Sequence, residues 1–226
     1  MDPTRDLARW TPRERPPRKI HEGRYARLEP LDAKKHGDEL YAASSGPEAE
    51  RFWRYSAEGP YPDRASFEPW LKANEASPDP LMFAIIDRAT GQVGGRQTFL
   101  RMDPQHGVIE VGYILFGTDI ARTRIATEAI YLFARHVFDE LGYRRFEWKC
   151  DDANDASKIA AERFGFTFEG VFRQHMIRKG VNRDTAWFSM LDSEWPSRKA
   201  AFEAWLAPSN FDNDGRQKKS LAAFRR

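Results

Sequence analysis

The chain has one cysteine, Cys150, in 226 residues, so it cannot form an internal disulfide, and a reducing, cytoplasmic setting is expected. Cys150 reads as a small strand residue before it reads as a nucleophile. No apolar run approaches the roughly 18 residues of a spanning helix, so no membrane partner is expected. The first residues lead into no apolar segment, and a secretory signal is therefore not expected. His21, His36, His106, His136 and His175 are scattered without metal-ligand spacing, and no metal is expected. No Ser–His–Asp order and no internal repeat is visible. The net charge of +2 is too small to imply nucleic acid by itself.

What is present is a globular composition, 41% hydrophobic and 31% charged. Residues 23–206 read as one domain, long enough to bury a core. Residues 1–22 carry Pro3, Pro12, Pro16 and Pro17 among excess arginines, and read as a flexible basic arm. Residues 207–226 read as a flexible basic tail. Solvated tails are favoured over attachment to RNA or a ribosome, because the basic runs are short.

Periodicity predicts strands over 24–28, 81–86, 93–100 and 108–116, the last three as an antiparallel meander with a turn at Thr90-Gly91. Helices are predicted over 34–43 and 67–74. The clearest helix opens at residue 125 and ends at Gly142. Ala126, Ile130, Phe133, Val137 and Leu141 lie on one face of it, and Arg124, Glu128, Tyr131, Arg135 and Asp139 on the other. A strand over 146–150 follows a helical crossover and is expected parallel to the strand over 108–116. A helix over 155–163, strands over 166–176 and 185–191, and a helix over 197–206 complete the domain.

The junction between strand 108–116 and the long helix carries the strongest chemical signal. Arg122-Thr123-Arg124 precedes the helix start at Ile125-Ala126-Thr127-Glu128. A helix N-terminus leaves backbone N–H groups unpaired and carries partial positive charge, so it can hold a phosphate. Two arginines add charge-assisted donors.

Three features then stand in order: Glu110-Val111-Gly112-Tyr113, the loop from Ala121 to Ala126, and Asn154-Asp155-Ala156-Ser157 ending at Phe164-Gly165-Phe166. Together they resemble the GNAT (GCN5-related) N-acetyltransferases, in particular the RimJ/RimL-like branch, over residues 24–195. The resemblance implies an α/β (α+β) fold. Its central sheet would be mixed but mostly antiparallel, of about seven strands, flanked by helices on both faces. A splayed parallel strand pair would hold the cofactor. It implies acetyl-CoA as donor and an amine as acceptor, either a protein N-terminus or a small molecule. The pantetheine arm would pair with the strand at Val111, Gly112, Tyr113 and Ile114. The pyrophosphate would sit on Arg122, Thr123, Arg124, Ile125, Ala126 and Thr127. Asn154 would contact the pantetheine arm as well as cap its helix.

Two positions depart from the family. Ala121 stands where the loop usually has Gln or Arg, and Arg124 where it has Gly. Either the lost glycine crowds the backbone away from the phosphate, or Arg122 and Arg124 compensate with their guanidinium groups; compensation is favoured. Ala161 replaces the tyrosine that many relatives use as general acid, and Ser157 matches the serine given that role in RimL-like members.

Amine attack on a thioester also needs an acceptor for the ammonium proton and a donor for the oxyanion. Glu110 interrupts an apolar run and is the favoured base, directly or through water, against the alternative that it faces solvent or pairs with an arginine. Glu147 and Asp151 are its backups. Trp53 and Tyr55 in Phe52-Trp53-Arg54-Tyr55 are candidates for the acceptor wall, or else packed loop anchors. Arg173 and Gln174 are weaker candidates for the same wall. A rival to catalysis is an acyl-CoA-binding module with little turnover. A homodimer stays open.

Overall fold

A computed structural model describes residues 7–225. Residues 1–6 of the expected arm and residue 226 of the expected tail lie outside the described residues.

Eight strands form one sheet in the order β1-β2-β3-β4-β5-β6-β8-β7. They are β1 His21–Glu22, β2 Ala26–Pro30, β3 Leu81–Asp87, β4 Val93–Asp103, β5 Val108–Phe116, β6 Arg145–Asp151, β7 Thr167–Arg178 and β8 Val181–Leu191. The expected count of seven misses β1, whose two residues are too short to show a period. The β3–β4–β5 meander is antiparallel as expected, and β5 pairs β6 in parallel. A parallel neighbour requires a crossover, supplied by the long helix.

The helices are α1 Ala33–Ser44, α2 Ala49–Trp53, α3 Arg64–Ala76, α4 Arg124–Arg135, α5 Asp155–Phe164 and α6 Trp195–Leu206. α4 continues through a π-helical turn, His136–Glu140, before the left-handed Gly142. One face of the sheet packs Leu40, Trp53, Phe67 and Leu71 of α1–α3 against Met82, Ala84 and Ile86. The other face buries α4, α5 and α6 against Phe83, Phe99, Ile109 and Phe146. Burial on both faces is why β3 reads as a continuous apolar run. No helix among the described residues is long and apolar enough to cross a membrane.

Both faces of α4 are covered along its middle, so Glu128 and Tyr131 of its expected polar face are internal, whereas Arg124 and Arg135 are half-buried and Asp139 is exposed. Ala126 through Ala134 are all buried. Tyr131 stacks on Trp195 and donates to Glu203 at 2.9 Å. Glu128 accepts from the backbone N–H groups of Arg24, Tyr25 and Ala26 at 2.8, 2.6 and 2.6 Å.

The terminal segments lie against this body. Residues 7–20 contain no helix or strand, yet Trp10 donates to the Gln105 carbonyl and Arg13 to that of Gly142, at 2.8 and 3.0 Å. The C-terminal stretch, expected as a solvated tail, is packed instead. Leu221 is only 2% exposed and joins the core, and Trp205 donates to Gln217 at 2.8 Å. Apolar Phe211, Leu221 and Phe224 give an otherwise polar segment enough surface to bury.

Candidate active site

β5 and β6 run in register only from Val108↔Arg145 to Val111↔Trp148, although β5 continues to Phe116 and β6 to Asp151. A bulge forces the parting. Thr98 faces Gly112 and Arg96 faces Leu115, so two residues of β5 oppose one of β4. Tyr113 takes a φ of 47° there. From Gly112 onward β5 follows β4 and leaves β6. Gly112, Tyr113 and Ile114 therefore present backbone to a gap with no strand across it.

The start of α4 stands beyond the end of β5. Thr123 caps the helix, its hydroxyl accepting from Ile125 N–H at 3.1 Å and donating to the Ile120 carbonyl at 2.7 Å. The N–H groups of Arg122, Arg124 and Ala126 have no acceptor among the described residues. Arg122 is exposed at a φ of 63°. Arg124 lies between two rings, its guanidinium carbon 4.5 Å from the centre of Tyr25 and 5.5 Å from that of Phe211. Residues 122–125 line a cavity of about 500 Å³ whose other wall includes Trp205, Phe211, Arg216 and Gln217. The expected phosphate contact at Thr127 finds a different setting. Its side chain is buried, donates to the Thr123 carbonyl at 3.1 Å and accepts from Arg163 at 3.1 and 3.2 Å. Its N–H is turned back to Thr123.

α5 begins on the opposite side of the gap. Asn154 is its N-cap, accepting from Ser157 N–H at 3.1 Å. Trp148, the last residue of β6 in register with β5, donates its indole N–H to Ser157 Oγ at 3.0 Å. Cys150 is buried beside Ser157, and burial pushes its thiol pKa up. This makes it a poor nucleophile.

Glu110 is buried and paired. Its Oε2 meets Arg101 at 2.8 Å and Lys149 at 3.0 Å. Lys149 also holds Glu147, which pairs with Arg145, and Arg145 forms a fork with Glu169. Gly112 lies over the other oxygen: a Cβ there would stand 3.4 Å from Glu110 Oε1. The backup base Glu147 is tied on both oxygens, whereas Asp151 accepts from Ala153 N–H.

The acceptor-wall candidates separate. Trp53 is 1% exposed, part of the α1–α3 core, and donates to the Ser44 carbonyl at 2.8 Å. It is the packed anchor of its loop. Tyr55 crosses instead to the β6–α5 turn and donates to the Ala153 carbonyl at 2.9 Å. Lys179, unmarked by any motif, reaches from the β7–β8 turn to the carbonyls of Trp53 and Gly59 at 3.2 and 2.7 Å. These bonds tie the loop after α2 to the β6–α5 turn and to the β7–β8 turn. Arg173 is exposed on β7, in the stretch where its register with β8 shifts.

A family model described as an acetyltransferase (GNAT) domain matches residues 26–167. The chain belongs to the GNAT acetyltransferase family. A crystal structure of a GCN5-related N-acetyltransferase from Brucella melitensis is 61% identical, with a TM-score of 0.94, over 96% of this chain and 98% of that one. An uncharacterized N-acetyltransferase, p20 of Bacillus licheniformis, is 31% identical over 50% of this chain. That match spans 63% of the relative's length. A Salmonella typhimurium acetyl transferase, described as modifying the N-terminal serine of 50S ribosomal subunit protein L7/L12, shares 18% identity at a TM-score of 0.66. It covers 76% of this chain and 99% of its own, a likeness of fold alone. The chain is thus an acyltransferase with a mixed, mostly antiparallel GNAT sheet and one parallel pair.

Proposed function

We propose that this chain transfers an acetyl group from acetyl-CoA to a primary amine, by direct attack in a ternary complex, in the manner of the RimJ/RimL-like branch. One observation carries the reading: β5 parts from β6 beside a helix start with unpaired amides and arginines. Such a place suits a long donor with an anionic end.

Acetyl-CoA supplies an activated thioester carbonyl. The amides of Arg122, Arg124 and Ala126, with the Arg122 guanidinium, hold the diphosphate. The free backbone edge of Gly112 to Ile114, just past the last paired residue Val111, takes the pantetheine amides, and Asn154 borders the same arm. The amine lone pair forms the new C–N bond, and a β5 amide near Val111 to Tyr113 donates to the oxyanion. The C–S bond then breaks, and Ser157 gives the departing thiolate its proton while taking one back from solvent. Glu110, through Oε1 or a water beside Gly112, accepts the proton lost by the amine. Holding both reactants in one gap supplies much of the rate.

The acceptor is a protein N-terminus or a small-molecule amine. The buried Cys150, with no partner for a disulfide, supports a cytoplasmic setting. Thiol release from acetyl-CoA on a panel of peptide and small amines tests the reading. Turnover with at least one amine is expected. Absence of both binding heat and a melting-point rise with saturating coenzyme A overturns it.

A further inference from the structure

Two arginines stand beyond Glu110 on its own face of the sheet. Glu110 lies opposite Glu147 of β6, and Lys149, two residues on, lies opposite Trp187 of β8. Alternate residues share a face, so Thr185 and Arg183 follow Trp187 along β8 on the side where Glu110 stands. Met176 of β7 is opposite Arg183, and Arg178 is two residues beyond it. Arg178 and Arg183 are therefore diagonal neighbours on that same face.

The carboxylates around them are committed elsewhere. Glu110, Glu147 and Glu169 alternate with Arg101, Lys149 and Arg145 in one chain of ion pairs, three charges against three. Asp184 accepts from Gln174 N–H and the Asn182 amide at 2.7 and 2.8 Å. Asp152 and Asp155 share Lys158, and Asp79 serves the N–H groups of Arg101 and Met102. Asp151 bonds Ala153 N–H and attracts Arg183 without an ion pair.

Arg178 and Arg183 have no carboxylate partner among the described residues, and the Nε of each is buried without an acceptor. Burial and the Arg178 charge, with Arg101 adding and Asp151 opposing, hold the Arg183 pKa below the ordinary arginine value. An arginine does not shed its proton. The fold thus sets two cations against one half-buried aspartate, and an incoming anion would relieve both the repulsion and the unmet donors.

The span to Glu110 selects what delivers that anion. Trp187 lies under Lys149, whose ammonium is 3.6 Å from the ring centre and 3.0 Å from Glu110. Arg183 is four residues further along β8, about 13 Å of strand. An α-amino acid, with one carbon between amine and carboxylate, is too short. An extended peptide covers the distance in about four residues, fewer where the Arg183 side chain reaches back. Phe172, opposite Thr185, packs on Trp187 at 4.6 Å and is 53% exposed, which offers an apolar floor between the two ends.

Resting on the amine-transfer reading, we infer that the acceptor is a peptide N-terminus with an acidic side chain within about its first four residues, and that Arg183 and Arg178 hold its carboxylate. The same pair repels polycationic amines.

Calorimetry of the full chain saturated with coenzyme A reads this site without turnover. The titrants are peptides carrying Asp, Asn or Lys at the second, third or fourth residue. At one position or more, the Asp peptide is expected to bind about 10- to 100-fold more tightly than the Asn peptide, the range for a charged hydrogen bond, and the Lys peptide more weakly still. Arg183→Gln is expected to bring the Asp-to-Asn ratio to within about threefold, and Arg178→Gln to move it the same way. Both side chains are partly exposed, and an unchanged melting temperature checks that each variant folds. No binding of any peptide, equal affinity for Asp and Asn at every position, or a loss in Arg183→Gln shared equally by both overturns the inference. Thiol release from acetyl-CoA with the same peptides tests the transfer reading separately. Ranked binding without release sinks that reading and leaves the arginine site standing.

Discussion

Trp148 donates its indole N–H to Ser157 Oγ at 3.0 Å, where β6 loses register with β5. A hydroxyl has one hydrogen to give and two lone pairs. With one lone pair committed to Trp148, the Ser157 hydrogen can go to an acceptor, either Cys150 beside it or the departing thiolate of the proposed reaction. Ser157→Ala should slow thiol release by about 10²-fold, the low end for a general acid. The coenzyme A affinity should stay within a small factor, because the backbone N–H of Ser157 remains on Asn154. Steady-state kinetics with calorimetry separates the two quantities. An unchanged kcat removes Ser157 from the chemistry.

Glu110 holds an ion-pair network and is the proposed base, and one substitution separates the two roles. Glu110→Gln leaves Lys149, whose side chain is only 7% exposed, short of one carboxylate. Breaking a buried pair costs on the order of 3 kcal/mol, which a fall in the urea midpoint would report. If Glu110 also accepts the amine proton, kcat/KM falls by about 10²-fold, beyond any loss of folded protein. Both effects are expected. Loss of stability with kcat/KM unchanged assigns Glu110 to the ion-pair network alone and gives the proton to water.

Glu128 ties α4 to the chain entering β2. It accepts three backbone N–H groups, from Arg24, Tyr25 and Ala26, which no strand partner serves. Glu128→Ala should cost about 3 kcal/mol in urea unfolding, since each orphaned donor that water cannot reach costs ~1–3 kcal/mol. Glu128→Gln keeps one acceptor oxygen and should fall between. A midpoint within error of the wild type for Glu128→Ala would show that solvent replaces the carboxylate.

Much of this architecture is legible where pattern is local. β5 covers residues 108–116 as its apolar run predicts, and α4, capped by Thr123, begins at Arg124, one residue before its predicted start. Asn154 caps α5, and the parallel placement of β6 follows from the crossover. What escaped depends on partners distant in sequence. Glu128 has the spacing of a polar helix face, and only the arrival of the chain near Arg24 gives it buried donors. Trp53 and Tyr55 are two residues apart with similar amphipathic character, yet one fills the core and the other spans toward α5. Nothing near Arg216 announces a cavity, because α4 supplies the opposite wall. The aromatic pair Trp205 and Phe211 was the available signal that this segment packs.

The acid response of the fold should centre on His21. Its ring is 3% exposed, 4.6 Å from that of His136 and 5.4 Å from Phe83, and its Nε2 has no partner. Burial, aided by the charges of His136 and Lys19, lowers its pKa to about 3. His136 is lowered as well, by burial first, with Glu140 opposing. An unfolded histidine takes up its proton near pH 6.5, while folded His21 refuses it until about 3, so the unfolded state binds more protons between these values. Stability must then fall as pH falls through that window, by up to about 1.4 kcal/mol per pH unit for each such histidine. Glu140 acts in the same direction. Burial alone would raise it, but its bonds to Lys19 and His136 hold it at about 2, so its contribution is present above the ordinary glutamate value of 4.5 and lost as pH drops toward 2. Urea midpoints measured from about pH 7 down to about pH 4 should decline steadily in the wild type and less steeply in His21→Leu, which has no proton to take up there. Parallel profiles for the two proteins would locate the acid sensitivity elsewhere.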